Sequence, residues 1–162
     1  MDQIDLILEQ WQRERPDLDV TPMAVFGRIG VLARVLAPLM EEVFAAHGLR
    51  QGEFEVLTAL RRVGPPYALI PSELSAMLMM SRAGMTNRLD RLEAAGFVER
   101  ALDPADRRSF RITLTDAGRK VTDDTMTDHT ANLHRLAEAM DTEELATLST
   151  TLRKLLTSLP TP

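Results

Sequence analysis

Between Gly96 and Thr115 the apolar pattern of this chain changes period. On either side, apolar residues recur at helical spacing. In FVER and SFRITLT they alternate, as in two short half-buried strands. The segment joining them, ALDPADRR, is charged and rich in turn formers. One hairpin set among helices predicts a mainly α fold with a small β-hairpin.

The helices are bounded by ordinary start and stop signals. Ile4, Leu6, Ile7, Leu8 and Trp11 give residues 2–15 an apolar face, and Pro16 ends it. Thr21 is read as an N-cap with Pro22 at the first helical position, opening a long helix to about His47 that stops at Gly48. Pro38 lies inside it and is expected to kink or break it. A third helix covers 51–63 and closes at Gly64-Pro65-Pro66. YALI reads as a possible short strand, and Pro71 starts a short helix for which Ile70 is a poor cap. Ser81 caps the next helix, which runs to Ala95. After the hairpin, Thr115 opens a helix to about Met140, and Asp141 with Glu144 forms a capping box for a last one.

The 162-residue chain has no cysteine, which excludes a disulfide scaffold, a Cys-based zinc site and thiol redox sensing. Its N-terminus lacks the basic-then-apolar pattern of a secretory signal, and no run approaches about 18 uninterrupted apolar residues. A cytoplasmic address is the default expectation. The net charge of −5 alone argues against a polyanion partner, but its distribution does not. Residues 81–120 carry 9 basic and 6 acidic side chains, while 1–80 carry 7 and 11, and 121–162 carry 3 and 7. The local field, rather than the total, steers a polyanion.

Short helix, tight turn, second helix and hairpin is the order of a helix-turn-helix followed by a wing. A helix fits the major groove, where each base pair shows a distinct donor and acceptor pattern. At 100° per residue Met85, Leu89 and Leu92 share the core face of the second helix. Ala83, Gly84, Asn87 and Arg91 fall opposite, with Thr86 at the edge. Small residues near Ser81 allow close approach to DNA, and the helix N-terminus favours phosphate. Asn87 and Arg91 suit base edges or phosphates, whereas Arg82 and Arg88 flank the core face and can turn either way. In the hairpin loop Arg107 and Arg108, with Arg111 on the return strand, suit a groove or phosphates. Asp103 and Asp106 would orient an arginine instead. A solvated amphipathic helix and a solvated charged turn are the plain alternatives, and a winged helix that docks a protein without sequence-specific DNA binding is a further one.

The run SRAGMTNRLDRLEAAGFVERALDPADRRSFRITLTDAGR resembles the winged-helix core of the MarR family of bacterial regulators, above all in D-P-x-D-R-R followed by L-T-x-x-G. The resemblance implies a homodimeric, ligand-responsive repressor on a palindromic operator. Residues 1–50 and 115–162 would be dimerisation helices and 51–114 the winged helix-turn-helix. It also implies a wing arginine in the minor groove, with Asp106, Arg107 and Arg108 as the wing residues. The extra N-terminal helix with Trp11 resembles a urate-responsive branch, in which Trp11, Glu55, Arg88 and Arg100 would line a site for a small anionic aromatic effector. That branch usually has Asp where this chain has Glu55. A planar anion stacking on Trp11 and pairing with guanidinium groups is coherent chemistry. Equally, Trp11 can fill a core while Arg88 and Arg100 meet phosphate or surface carboxylates.

No metal site or cofactor is expected. His129 and His134 are poorly spaced for one helix face, and with His47 they read as solvated or partly packed. Met77, Met79 and Met80 read as irregular core packing. No Walker loop, G-x-S-x-G or HExxH arrangement points to an enzyme.

Overall fold

The computed structural model describes residues 1–102 and 110–160. The chain divides into two compact units, Met1–Glu42 and Val43–Pro162.

In the first unit, α1 (Gln3–Glu14) is capped at Asp2, whose carboxylate accepts from the Ile4 and Asp5 amides. The Asp5 carboxylate accepts from the Asp2 amide in return, completing a capping box. Arg28 pairs with both carboxylates and so ties α1 to α2 (Thr21–Ala46). Thr21 is the first residue of α2 rather than its cap: the Val20 carbonyl accepts from Met23, and the Asp19 carboxylate accepts from the Thr21 amide. The helix continues through Pro38. Gly48, at φ +70°, turns the chain after it.

The second unit holds the larger core. On α3 (Gln51–Arg62), Val56, Leu57, Ala59 and Leu60 are fully buried. β1 (Ala68–Leu69), β2 (Val98–Leu102) and β3 (Phe110–Leu114) form an antiparallel sheet in the order β1-β3-β2, so YALI adds a third strand to the hairpin. Register pairs Val98 with Leu114 and Leu102 with Phe110. Ile112 is fully buried on the central strand.

Between them run α4 (Pro71–Met77) and α5 (Arg82–Ala94). Then come α6 (Asp116–Leu136) and α7 (Thr142–Ser158). The sequence places the end of α6 near Met140, but the helix stops at Leu136. Asp141 and Glu144 form the expected box at α7, at 2.9 Å in each direction between Asp141 and Glu144.

The start of α6 explains L-T-x-x-G. Thr115 Oγ1 accepts from the Gly118 amide at 2.9 Å and donates to the Gly96 carbonyl at 2.7 Å. A Cβ on Gly118 would lie 1.9 Å from the Phe97 carbonyl oxygen, so only glycine lets α6 pack this closely.

Candidate nucleic-acid interface

The two-helix unit is held by the expected apolar residues. Leu74 of α4 and Met85, Leu89 and Leu92 of α5 are all 2% exposed or less. Each contributes on the order of 1.5–3 kcal/mol by leaving water, which fixes the rotation of α5 about its axis. That rotation turns Arg82, Ala83, Thr86, Asn87 and Arg91 to the surface, with Gly84 half-buried. Ser81 Oγ accepts from the Gly84 amide at 3.2 Å, the predicted cap. Arg82 has no carboxylate partner among the described residues. Thr86 donates back to the Arg82 carbonyl at 3.0 Å.

The flanks of α5 are held by ion pairs with its neighbours. Arg88, which the sequence leaves free to turn either way, turns inward. It donates to Glu55 Oε2 at 3.0 Å and to the Gly52 carbonyl at 3.1 Å. Arg91 is exposed as expected, but its Nε donates to Glu53 Oε1 at 2.6 Å. Glu53 is a residue that sequence reasoning missed. It is 7% exposed, and its other oxygen accepts from the Arg50 amide at 2.9 Å, so one carboxylate caps α3 and anchors α5. The signal was its position three residues into α3, where a carboxylate serves as a cap.

Arg100 on β2 pairs with Asp90 and, at 3.3 Å, with Glu93. Both carboxylates belong to α5, so this arginine neutralises negative charge on the helix. Of the four expected effector residues, the structure brings Glu55 and Arg88 together, engages Arg100 elsewhere, and carries Trp11, 43% exposed, in the first unit. The Glu55–Arg88 contact joins α3 to α5.

Beside α5 a groove of about 330 Å³ is lined by Ser72 and Ser75 of α4, Arg82 and Thr86 of α5, and Phe110, the first residue of β3. The two serines are three residues apart on one face of α4, a spacing sequence reasoning passed over. Of the three methionines expected to pack in the core, Met80 is half-buried but Met77 and Met79 are exposed. Met77, the last residue of α4, is 45% exposed, and Met79, at φ +50° in the tight turn before α5, is 76% exposed. Arg111 sits half-buried on β3 opposite Ala101. The wing residues Asp103, Asp106, Arg107 and Arg108 lie outside the described residues.

The sequence profile of the MarR family matches residues 47–109. The HTH-type transcriptional regulator PecS of Dickeya dadantii (strain 3937) is 39% identical over 138 residues, which is 85% of this chain and 83% of PecS. Among solved structures, a mutant MarR from E. coli complexed with operator DNA aligns with a TM-score of 0.73 at 25% identity, covering 85% of this chain and 95% of that one. A MarR family regulator from Streptomyces coelicolor, also in complex with DNA, shares the fold at a TM-score of 0.79 and 22% identity, over 89% of this chain and 91% of its own.

Proposed function

From the premise that this chain belongs to the MarR family of transcription regulators, we propose that it represses transcription by binding duplex operator DNA as a homodimer. The observation that carries the reading is the rotation of α5. Burial of Met85, Leu89 and Leu92 leaves Ala83, Thr86 and Asn87 on the outward face behind a capped N-terminus. Small residues admit the helix to the major groove, the N-terminal amides meet phosphate, and Asn87 has the donor and acceptor to read adenine. Arg82 at the groove is suited to phosphate. Ser81, Gly84 and Arg91 complete the helix surface, and Arg107, Arg108 and Arg111 are proposed wing contacts, with Asp103 and Asp106 orienting them. The Arg91–Glu53 pair favours a phosphate contact by a preset guanidinium over base reading.

Dimerisation falls to the flanking segments, 1–50 and 115–162, around a DNA-binding core at 51–114. The apolar surface supports this. Val25, Phe26, Leu32 and Val35 of α2 and Leu145, Leu148, Leu152 and Leu156 of α7 are all at least 40% exposed in the single chain. By length and composition alone α2 would also pass for a membrane span, with mean hydropathy 1.6. In a DNA-binding regulator, a second copy is the natural cover for such a face, and the cytoplasm is the compartment in which it meets its operator.

For the effector, the proposal is a planar anion of the urate kind, bound at Arg88 with Glu55, Trp11 and Arg100 as further contacts. The meeting of Glu55 and Arg88 supports half of this site, and an incoming anion would have to displace Glu55 from Arg88. Trp11 is the only tryptophan, so its fluorescence reports urate binding directly.

Selection of bound sequences from a random DNA pool tests the main reading. The expected product is an inverted repeat with half-sites about one helical turn, ~34 Å, apart. Asn87→Ala should relax the base preference at one position per half-site. An unenriched pool would sink the reading and leave a winged helix that docks proteins.

A further inference from the structure

We infer that Glu53 is a positioning residue for operator binding: it grips Arg91 through Nε and leaves the end of the guanidinium ready for a backbone phosphate. The inference rests on the reading of α5 as the recognition helix and names what readies its last arginine.

Arg88 and Arg91 lie three residues apart on α5 and meet α3 in opposite ways. Arg88 spends its terminal nitrogen Nη1 on the Gly52 carbonyl and on Glu55, at 3.1 and 3.0 Å, and its side chain is 26% exposed. A Cβ on Gly52 would collide with this guanidinium, which lies against the start of α3. Arg91 spends only Nε, on Glu53 Oε1 at 2.6 Å, and its side chain is 45% exposed. Its two Nη groups have no hydrogen-bond partner among the described residues. A guanidinium is a rigid fork of five donors, so a carboxylate at Nε leaves the terminal pair of nitrogens for two phosphate oxygens.

The other end of the grip is fixed to the backbone. Glu53 is 7% exposed, and its Oε2 accepts from the Arg50 amide at 2.9 Å. Both oxygens therefore act as acceptors, one for the start of α3 and one for Arg91. A carboxylate can do this; a glutamine has one acceptor oxygen and would turn its NH2 toward one of the two donors. Stability does not account for the pair, since an ion pair this open to water at the arginine adds little. What the pair removes is the rotamer freedom of a long side chain, a loss otherwise paid on meeting DNA.

Glu53→Gln tests this in the full chain, on an operator selected by the wild-type protein. Two effects oppose each other. Losing a negative charge near the DNA strengthens binding, whereas losing the grip weakens it. The expected result is binding about three- to tenfold weaker, with unchanged base preference, because a phosphate contact carries no sequence information. In an Arg91→Ala background the same change should no longer weaken binding. The Arg91 Nε–H resonance, assigned by its loss in Arg91→Ala, should move in Glu53→Gln. Should that variant fail to fold, Arg91→Lys probes the pair from its exposed end: the charge stays, the fork is lost, and binding should fall by a similar factor. Three results overturn the inference: Glu53→Gln binding at or above wild-type strength, a weakening that persists without Arg91, or wild-type affinity in Arg91→Lys. Each leaves the wild-type inverted repeat, and with it the operator reading, in place. A wild-type chain that selects no sequence removes both.

Discussion

Gly118 shows how tightly single positions are specified. The helix after the hairpin starts against the Phe97 backbone, and any Cβ there meets a carbonyl carbon and oxygen that cannot rotate away. Gly118→Ala should cost about 2 kcal/mol or more, the scale of overpacking in a close-packed site, read as a lower urea midpoint at unchanged slope. His129 sets a different expectation. Its folded pKa lies below the ordinary value of 6.5 because burial opposes the charged ring. As pH falls through about 6.5, the unfolded chain takes up a proton that the native chain resists, so stability is present above that value and is lost on acidification until pH passes the folded pKa. Between about pH 7.5 and about pH 5.5 the wild-type urea midpoint should fall more than that of His129→Gln. Equal slopes would show that the imidazole does not titrate differently in the two states.

At the level of elements, α5 is set by its neighbours as much as by its own sequence. Glu53 and Glu55 of α3 hold Arg91 and Arg88, while Arg100 of β2 covers Asp90 and Glu93. These pairs are partly exposed, so each contributes little to stability. Their consequence is electrostatic: Arg100 keeps two carboxylates on the candidate recognition helix from facing phosphate uncompensated. Arg100→Ala should therefore weaken operator binding about three- to tenfold at low salt, with the difference shrinking as salt screens it. Circular dichroism should show unchanged helix content. Equal affinity at low salt would mean that Asp90 and Glu93 lie out of reach of the DNA field.

For the whole molecule, the exposed stripe on α7 sets the prediction. Leu145, Leu148, Leu152 and Leu156 recur at three and four residues and leave no buried residue on that helix in a single chain. Leu152→Arg should shift sedimentation from dimer to monomer and lower operator affinity with it, since the proposed pair of half-sites needs two readers. A dimer of wild-type strength would remove α7 from the interface.

The sequence by itself determined the elements and the inward face of α5, because these depend on local rules: the period of apolar residues, caps at Ser81 and Asp141, and glycines where the chain must turn. It also carried the family, through D-P-x-D-R-R and L-T-x-x-G, and the structure supplies the reason for the latter at Gly118 and Thr115. Only the tertiary structure decided where the flanking arginines go. Arg88 could turn either way by angle alone, and what drew it inward was a carboxylate 33 residues away; Glu53 and Asp123 act on Arg91 and Arg61 across 38 and 62 residues. Long side chains choose partners by distance in space. That quantity is not written in the spacing of residues along one segment.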